Sequence, residues 1–438
     1  MSPAAICLFV FAVMTFLILI GVPLCVSMLL CAFVGFVTVS GYDLAVSQFT
    51  NALFSLSHSY NFAVIPLFMI VGTLASATGM AEGTFSSAKK WLGRLRGGLL
   101  HSVVIANMIF GACSGMSAAG NIVFSKIALP ELRKADYDET FAIGTITCAG
   151  SLSVLIPPSV PIVAFCLLAG VSVGQALVTG VSTGILFAII MMIMIAVVGI
   201  VKPEKIPLVD RAAAKVALKE KILTLRLLLP IFLLFALIVG GSFLGWFPAT
   251  VGGAVAVVAI LAYALFKKVP LKNVLSGIQE GVSSFAGVYL IIVAGQFFSR
   301  FVTVTGVASA ISEAIAAANM APYLVFCLVF VFFLFCGCFM DVLSIIILTV
   351  PIVFPVLTEL GFNELILVML LVFSMEIASL TPPVGLGVFY VANATKLPVS
   401  QVFRGVVPYF ILDVIIVLII AAFPNLILWL PQILGYDV

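Results

Sequence analysis

The sequence predicts an all-helical protein that crosses a membrane many times and contains two re-entrant helical hairpins. Three observations predict this fold class. Of the 438 residues, 64% are hydrophobic and only 8% are charged, whereas an ordinary soluble domain is about 25% charged. Continuous apolar runs of about 20 residues, the length of a membrane-spanning helix, follow one another along the chain. Some of these runs are interrupted, two by glycine-rich polar stretches and two by paired prolines.

The apolar runs divide the chain into scaffold segments and two similar halves. We expect scaffold helices over residues 1–60 and 227–280. The first half, residues 61–200, contains the first glycine-interrupted run, 98–130, and a helix broken within 140–170. Because the run over 98–130 is too interrupted for a plain span, we interpret it as a hairpin that returns to the side it came from.

The second half, residues 281–438, repeats this order, with a hairpin over 321–356 and a broken helix over 363–395. The segment 203–226 between the halves has a different composition. Three of its basic residues recur at four-residue steps: Arg211, Lys215 and Lys219. This spacing predicts an amphipathic helix in the cytoplasmic interface, near anionic lipid head groups. The alternative is a solvated linker between two helix bundles.

The basic residues test this assignment. Treating the two glycine-interrupted runs, 98–130 and 321–356, as hairpins leaves about ten membrane crossings. With the N-terminus outside, the positive-inside rule then places 18 of the 20 lysines and arginines in the cytoplasm, all except Lys126 and Arg300. The C-terminus also lies outside. In this topology the first hairpin enters from the cytoplasm and the second from the opposite side.

An internal repeat relates the two halves. At an offset of 225 residues Pro130 matches Pro355, and the pair Pro157–Pro158 matches Pro382–Pro383. The glycine-rich stretch 111–115 parallels 337–341 after a shift of one residue. Since the two hairpins enter from opposite sides, the halves form an inverted-topology repeat. Such repeats with interrupted helices at corresponding positions point to a secondary transporter and to its binding site.

The paired prolines predict exposed backbone oxygens in the membrane interior. Proline lacks an N–H, so each one leaves the carbonyl four residues earlier without its helical partner. The carbonyls affected belong to Ser153, Val154, Ala378 and Ser379. An unpaired carbonyl in a bilayer costs several kcal/mol, and a dehydrated sodium ion would satisfy it. The alternative is a simple kink in which neighbouring hydroxyls satisfy the carbonyls.

The hairpin tips and the half-helices could complete such a site. Ser114 and Ser117 lie at the first tip, and residues 337–341 form the second. New half-helices begin near Ser159 and Val384. Their positive dipole ends would face the membrane midplane, where they could meet an anionic substrate.

Three acidic residues in apolar segments have open roles. Asp341 is either a functional intramembrane carboxylate or the N-cap of the returning half of the hairpin. Glu376 is a neighbour of a cation site, a proton carrier or a buried structural acid. We interpret Asp413 as a helix-packing contact. His58 and His101 have no partner pattern typical of a metal site.

Other functional classes fit the sequence less well. Residues 112–115 resemble part of a serine nucleophile motif, but no histidine lies in a later span to activate Ser114. A primary pump is disfavoured because there is no phosphate-binding Walker A loop. We therefore expect no catalytic residues and no enzymatic activity. A channel remains an alternative.

Several motifs together resemble the large membrane subunit of tripartite ATP-independent periplasmic transporters. They are Gly97–Leu99, Phe110–Ala119, Ile156–Ser159, Asp341 with the Ile-Leu-Thr-Val-Pro run after it, Leu380–Gly385 and the early Ile65–Phe68. The resemblance covers nearly the whole chain. It implies a sodium-driven elevator mechanism that imports a small organic anion across the bacterial inner membrane. The alternatives are an ion-coupled carboxylate symporter that works without a binding protein, and an anion channel.

The resemblance also implies partners and site residues. A small four-helix membrane subunit, expected as a separate polypeptide, and a periplasmic substrate-binding protein would be the partners. No organic cofactor is implied, and sodium would be the only metal. The residues implied for the first sodium site are Ser114, Ser117, Ser153, Ile156 and Pro158. The symmetry-related positions, which would form a second site, are Gly337, Asp341, Ala378, Thr381 and Pro383.

The same resemblance places the substrate between the two hairpin tips. The residues implied for this site are Gly115, Met116, Ser159 and Gly385. One position departs from the family pattern. Many relatives have two consecutive serines in the first tip, and here Met116 stands in the first of those places. We therefore expect one hydroxyl contact to substrate or ion to be missing.

Overall fold

In the computed structural model, residues 2–58, 60–207, 217–241, 244–338, 340–382 and 385–436 are described. All regular secondary structure in these ranges is helical, which confirms the predicted fold class. The helices of the N-terminal part are α1 (Pro3–Leu19), α2 (Leu24–Ser40), α3 (Tyr42–His58), α4 (Val64–Ala77), α5 (Met80–Leu92), α6 (Gly98–Ser114), α7 (Ser117–Lys134), α8 (Glu139–Ala149), α9 (Leu152–Leu155), α10 (Val160–Ala169) and α11 (Val173–Val201).

The C-terminal part repeats much of this order. Its helices are α12 (Leu218–Phe235), which continues through a π-helical turn (Ala236–Gly240), α13 (Ala249–Phe266), α14 (Leu271–Thr305), α15 (Val307–Ala317), α16 (Pro322–Gly337), α17 (Val342–Glu359), α18 (Glu364–Ala378), α19 (Leu386–Thr395), α20 (Val399–Ala422) and α21 (Asn425–Ile433). Asp138 caps the N-terminus of α8, and Asn363 at the corresponding repeat position caps α18.

Helix length and composition support a polytopic membrane protein. Within the described ranges, five helices are long and apolar enough to cross a bilayer, or seven if each of two bent pairs counts as one span. Further apolar helices have 10–17 residues. One of the five is α17, an arm of the second hairpin, and 72% of its apolar window is buried, against 28–39% for the other four. This burial is typical of a re-entrant arm, which is enclosed by protein rather than by lipid.

Both predicted helix breaks are present. The rod that begins with α8 and α9 bends by 44° where it meets α10, and Pro157 and Pro158 lie at the bend. The corresponding rod in the second half ends as α18 at Ala378 and resumes as α19 at Leu386. Pro383 and Val384 lie outside the described residues.

The two predicted hairpins also have the expected form. In the first, α6 and α7 are joined at Gly115 and Met116, and Gly115 has φ +62°, a conformation that favours glycine. In the second, α16 and α17 are joined by residues 338–341. The arms α7 and α17 contain Pro130 and Pro355, the prolines that first indicated the repeat.

The structure describes only part of the segment 203–226, so the predicted interfacial helix stays a prediction. The described residues of this segment from Leu218 onward are the beginning of α12, which runs on into the apolar region. Arg211 and Lys215 of the predicted basic stripe lie outside the described residues. The predicted boundary between residues 226 and 227 is absent, because a change in side-chain polarity does not interrupt backbone hydrogen bonding within α12. The sequence analysis also gave no separate bounds for four helices, namely α3, α5, α15 and α21.

Basic loops that are distant in sequence meet on one face of the molecule. Lys89 lies 2.5 Å from Glu131, which also contacts Lys134 at 3.6 Å. The backbone carbonyl of Lys205 accepts a hydrogen bond from Asp138, and that of Lys221 accepts one from the Trp91 ring. These exposed ion pairs stabilise the fold little, but the contacts bring Lys89, Lys134, Lys205 and Lys221 to neighbouring positions. Which side of the membrane this face occupies stays a prediction.

Candidate functional site

A small cavity lies where the two hairpin tips meet. Its volume is about 180 Å³, and both repeat halves and α14 contribute to its walls. The residues that line it are Met69, Met116, Ser117, Ala118, Val154, Pro161, Ser284, Val288, Asp341, Val342, Leu343, Glu376, Ser379, Leu386, Gly387 and Tyr390. The cavity therefore collects residues from both tips and both breaks, as the inverted repeat predicted.

The first tip sits directly on the first helix break because glycines allow backbone contact. A Cβ on Gly111 would lie 2.7 Å from the Cα of Ser153, and one on Gly115 would lie 2.4 Å from the carbonyl oxygen of Pro158. The backbone N–H of Val160 donates to the carbonyl of Gly115 at 3.1 Å. Tip and break are thus held as one unit.

Two hydroxyls at this contact have no hydrogen-bond partner among the described residues. Ser114 and Ser153 are completely buried, and neither Oγ atom has a hydrogen-bond partner in the described part of the chain. A buried hydroxyl without a partner costs about 1–3 kcal/mol. With the nearby Pro158 carbonyl they place several oxygen atoms in a buried environment, and oxygen ligands are what a dehydrated sodium ion needs. Three of the five residues implied for the first sodium site are thereby brought together at one contact.

The other two residues of that set have different positions. Ser117 begins α7 and lines the cavity, next to the hairpin turn. Ile156 is buried in extended backbone just before the paired prolines, with its N–H donating to Leu152.

The second tip repeats the glycine contact of the first. A Cβ on Gly337 would lie 2.4 Å from the carbonyl carbon of Ala378. Ala378 is the repeat counterpart of Ser153, and Gly337 is the counterpart of Gly111. The same backbone approach therefore occurs at equivalent positions in both halves, which confirms the repeat in three dimensions.

The carbonyls freed by the second proline pair are not bare. The oxygen of Ala378 accepts hydrogen bonds from the N–H of Thr381 at 3.1 Å and from its hydroxyl at 2.6 Å. The oxygen of Ser379 accepts from the N–H of Gly387 at 3.1 Å. The prediction that these two carbonyls lack partners is wrong, because the chain turns back after the break and supplies its own donors. Thr381 gives its proton to Ala378, so its oxygen lone pairs remain available to a cation.

Asp341 is both an N-cap and a wall of the cavity. One carboxylate oxygen accepts from the N–H of Leu343 at 3.2 Å, and the other accepts from the hydroxyl of Ser344. Asp341 can therefore act both as an N-cap and as a functional carboxylate, the two alternatives that the sequence left open. Pro383, implied for the same site, lies outside the described residues.

Glu376 faces the cavity from the centre of the molecule. It lies on α18, whose residues from Leu365 to Ala378 are all buried. One carboxylate oxygen accepts a hydrogen bond from Ser151 at 3.2 Å, and the hydroxyl of Ser117 also lies near the carboxyl group. Ser151 and Glu376 are 225 residues apart, the repeat offset. They are counterparts that meet where the two halves join.

Sequence reasoning missed Ser151, although the 225-residue offset applied to Glu376 would have found it. It also missed Met69, Ser284 and Tyr390, which reach the cavity only through tertiary packing. Asp413, interpreted as a packing contact, is buried on α20, and both of its carboxylate oxygens lack partners in the described chain.

Of the residues implied for substrate binding, one lines the cavity and three do not. Met116 lines the cavity in extended backbone at the first tip. The hydroxyl of Ser159 instead accepts a hydrogen bond from Ile162 at 3.3 Å and caps α10. Gly115 and Gly385 hold the turns behind the cavity, both with φ +62°.

This arrangement can be compared with known proteins. The family model described as "Tripartite ATP-independent periplasmic transporter, DctM component" matches residues 11–426. The chain belongs to this family. Members of this family are transporter permeases rather than enzymes, and they work with a small membrane subunit and a periplasmic binding protein to move organic acids. The chain is therefore a multi-pass membrane permease of a secondary transporter of the DctM family.

Curated relatives of this DctM-family permease are similar over nearly their full length. The C4-dicarboxylate TRAP transporter large permease protein DctM of Pseudomonas aeruginosa is 31% identical over 393 residues, which cover 89% of this chain and 91% of that protein. The sialic acid TRAP transporter large permease protein SiaM of Vibrio cholerae is 26% identical over 426 residues, 96% and 97% of the two chains.

A third relative is named for a different kind of cargo. The ectoine/5-hydroxyectoine TRAP transporter large permease protein UehC of Ruegeria pomeroyi is 26% identical over 428 residues, 97% of this chain and 98% of that protein. Among solved structures, the YdaH transporter of Alcanivorax borkumensis superposes with a TM-score of 0.59 at 15% identity, over 87% of this chain and 89% of that one. This likeness shows a shared fold.

Proposed function

We propose that the chain is the permease of a sodium-coupled importer that receives a small organic acid anion from a periplasmic binding protein. The observation that carries this proposal is the meeting of two hairpin tips and two helix breaks around one cavity. A small four-helix membrane subunit completes the system in the inner membrane, and both termini of the chain face the periplasm.

Sodium coupling is supported by oxygen atoms that the fold leaves without partners. The hydroxyls of Ser114 and Ser153 lie at the contact between tip and break, where the Pro158 carbonyl also points. In the second half the oxygen of Thr381 is the corresponding candidate, together with Asp341. Unwound backbone at interrupted helices coordinates sodium in other secondary transporters.

The cavity favours a small anionic cargo. Its volume of about 180 Å³ is below the 300–1,000 Å³ typical of pockets for drug-sized ligands. None of the residues that line it in the described chain is a lysine or arginine. An anion there would be stabilised by the N-terminal ends of α10 and α19 and by sodium ions at the tips. The relatives carry cargo of several kinds, so the proposal names a class rather than a compound.

An elevator mechanism is supported by the position of the cavity. Its walls come from the hairpins and broken helices, from Met69 of α4, and from Ser284 and Val288 of α14. If the hairpins and broken helices slide together past α14, the same cavity opens first to one face and then to the other.

The decisive experiment is uptake into proteoliposomes that contain the permease with its small subunit. Loaded binding protein is added outside, with sodium or potassium as the external cation. We expect saturable uptake that requires both sodium and the binding protein. Equal uptake in potassium would refute the coupling. Uptake without the binding protein would favour a carboxylate symporter, and flux that does not saturate would favour a channel.

A hydroxyl-deletion series tests the first sodium site. We expect Ser114→Ala and Ser153→Ala each to raise the half-saturating sodium concentration about 10- to 100-fold, because hydrogen bonds or ligands to a charged group contribute about 1.5–3 kcal/mol. Protein abundance should not change. The matched control is Ser125→Ala, which removes another buried hydroxyl without a partner from the same hairpin. An equal effect of Ser125→Ala would show a general packing defect instead.

A further inference from the structure

A second and larger cavity lies on the outer surface of the scaffold, away from the hairpin tips. Its volume is about 610 Å³, and α12, α13 and the first residue of α5 form its walls. The lining residues are Met80, Arg226, Leu227, Leu229, Pro230, Leu233, Leu234, Leu237, Ala259, Tyr263, Phe266 and Lys267. Apolar side chains therefore fill the walls, and both cations come from one end of the cavity.

The cations mark the cytoplasmic end in the predicted topology. Arg226 lies near the start of α12 and Lys267 directly follows α13, so the antiparallel pair of helices brings them together. The ammonium group of Lys267 lies 5.9 Å from the centre of the Tyr263 ring. Within the described residues, no acidic side chain forms an ion pair with Arg226 or Lys267. Their charges therefore remain available to a ligand.

The length of the cavity matches one leaflet of a bilayer. From Arg226 to Leu237 the helix rises about 16 Å, at 1.5 Å per residue. Half of the hydrocarbon core is about 15 Å. Its rim is open to the surroundings, since Leu229 is 55% and Leu233 60% exposed. A ligand with an anionic head and an apolar tail of this length would satisfy both ends of the cavity.

We propose that this cavity binds one anionic phospholipid of the cytoplasmic leaflet, with its phosphate between Arg226 and Lys267 and an acyl chain along α12 and α13. Each basic residue near an anionic lipid surface contributes about 1 kcal/mol, so the two together correspond to a preference of about 30-fold over a zwitterionic lipid. The bound lipid would fix the angle between α12 and α13 in the scaffold against which the transport elements move.

The test uses the complex of permease and small subunit, delipidated and then incubated with equal amounts of phosphatidylglycerol and phosphatidylcholine. Native mass spectrometry counts the lipid retained. We expect phosphatidylglycerol to be preferred by the wild type and the preference to fall about 30-fold in the double variant Arg226→Gln/Lys267→Gln. Lys268→Gln, which neutralises the neighbouring cation outside the cavity lining, should keep the wild-type preference.

A second variant separates the contribution of the apolar cavity to lipid binding from that of the two cations. Ala259→Phe places a ring inside the cavity and should remove retained lipid even though both cations remain, whereas Ala262→Phe, exposed on the same helix, should not. Equal retention of both lipids by the wild type would overturn the proposal. Displacement of phosphatidylglycerol by inorganic phosphate alone would also overturn it, as would cross-links from Leu233 to the small subunit in a lipid-free complex.

Discussion

Replacing Gly337 with alanine is expected to abolish transport while the chain remains folded and inserted. The added Cβ would lie 2.4 Å from the carbonyl carbon and 2.5 Å from the oxygen of Ala378. Both are backbone atoms, so the clash cannot be relieved by a side-chain rotation, and the tip must move off the break. Overpacking of this kind costs about 1–3 kcal/mol, less than the 5–15 kcal/mol that stabilises a typical fold.

The loss of function should be much larger than the loss of stability. Displacing reacting groups by about 1 Å can lower an enzyme's rate roughly 100-fold. A loss of similar size is expected here because the displaced tip carries Asp341, which lines the cavity and belongs to the proposed second sodium site. Gly111→Ala should behave in the same way at the symmetry-related contact, where its Cβ would lie 2.7 Å from the Cα of Ser153.

The measurement is initial uptake per folded permease, with abundance and thermal stability recorded for each variant. Gly287→Ala in α14 is the control, since its added Cβ would have no neighbour within 4 Å. Alanine also favours a helix more than glycine does, so this variant should transport normally. Normal uptake by both Gly111→Ala and Gly337→Ala would show that tip and break do not need to touch.

The repeat was the part of the fold most open to prediction from sequence. Paired prolines and glycine-rich tips are rare local signals, and their equal spacing in both halves predicted two hairpins and two broken helices that the structure contains. The bounds of helices such as α3 and α5 could not be predicted in the same way. Their polar and apolar residues are mixed, so an apolar-run criterion passes over them although tertiary packing stabilises them as helices.

The details of the site depended on tertiary contacts that the sequence does not display. The oxygens of Ala378 and Ser379 were expected to be free because proline removes their helical donors, but the donors Thr381 and Gly387 lie beyond the break. Ser159 was expected near the substrate, yet its hydroxyl caps its own helix. In both cases the local rule was sound, and the backbone after the break supplied a partner that the rule does not include.

Glu376 combines complete burial, a place in the cavity wall and a nearby second acid. Asp413 lies within electrostatic range of it and is also completely buried. No lysine or arginine of the described chain forms an ion pair with either carboxyl group. Two ionised carboxylates in this environment would be very costly, so a proton or a bound cation must compensate them. In the proposed sodium-coupled mechanism, the oxygen of Glu376 that Ser151 does not contact would meet the transported cation.

Replacing Glu376 with glutamine is therefore expected to lower sodium-dependent uptake about 10- to 100-fold, the size of a lost charged interaction. Glutamine keeps the shape and can still accept the hydrogen bond from Ser151, so folding should be preserved. Asp413→Asn removes the charge of the second buried acid, which does not line the cavity, and should leave uptake unchanged. The dependence of uptake on sodium and on pH separates the three roles. If Glu376 neighbours a cation site, the variant loses sodium affinity. If it carries a proton, uptake by the variant loses its pH dependence alone. If it is a structural acid, the variant loses stability alone.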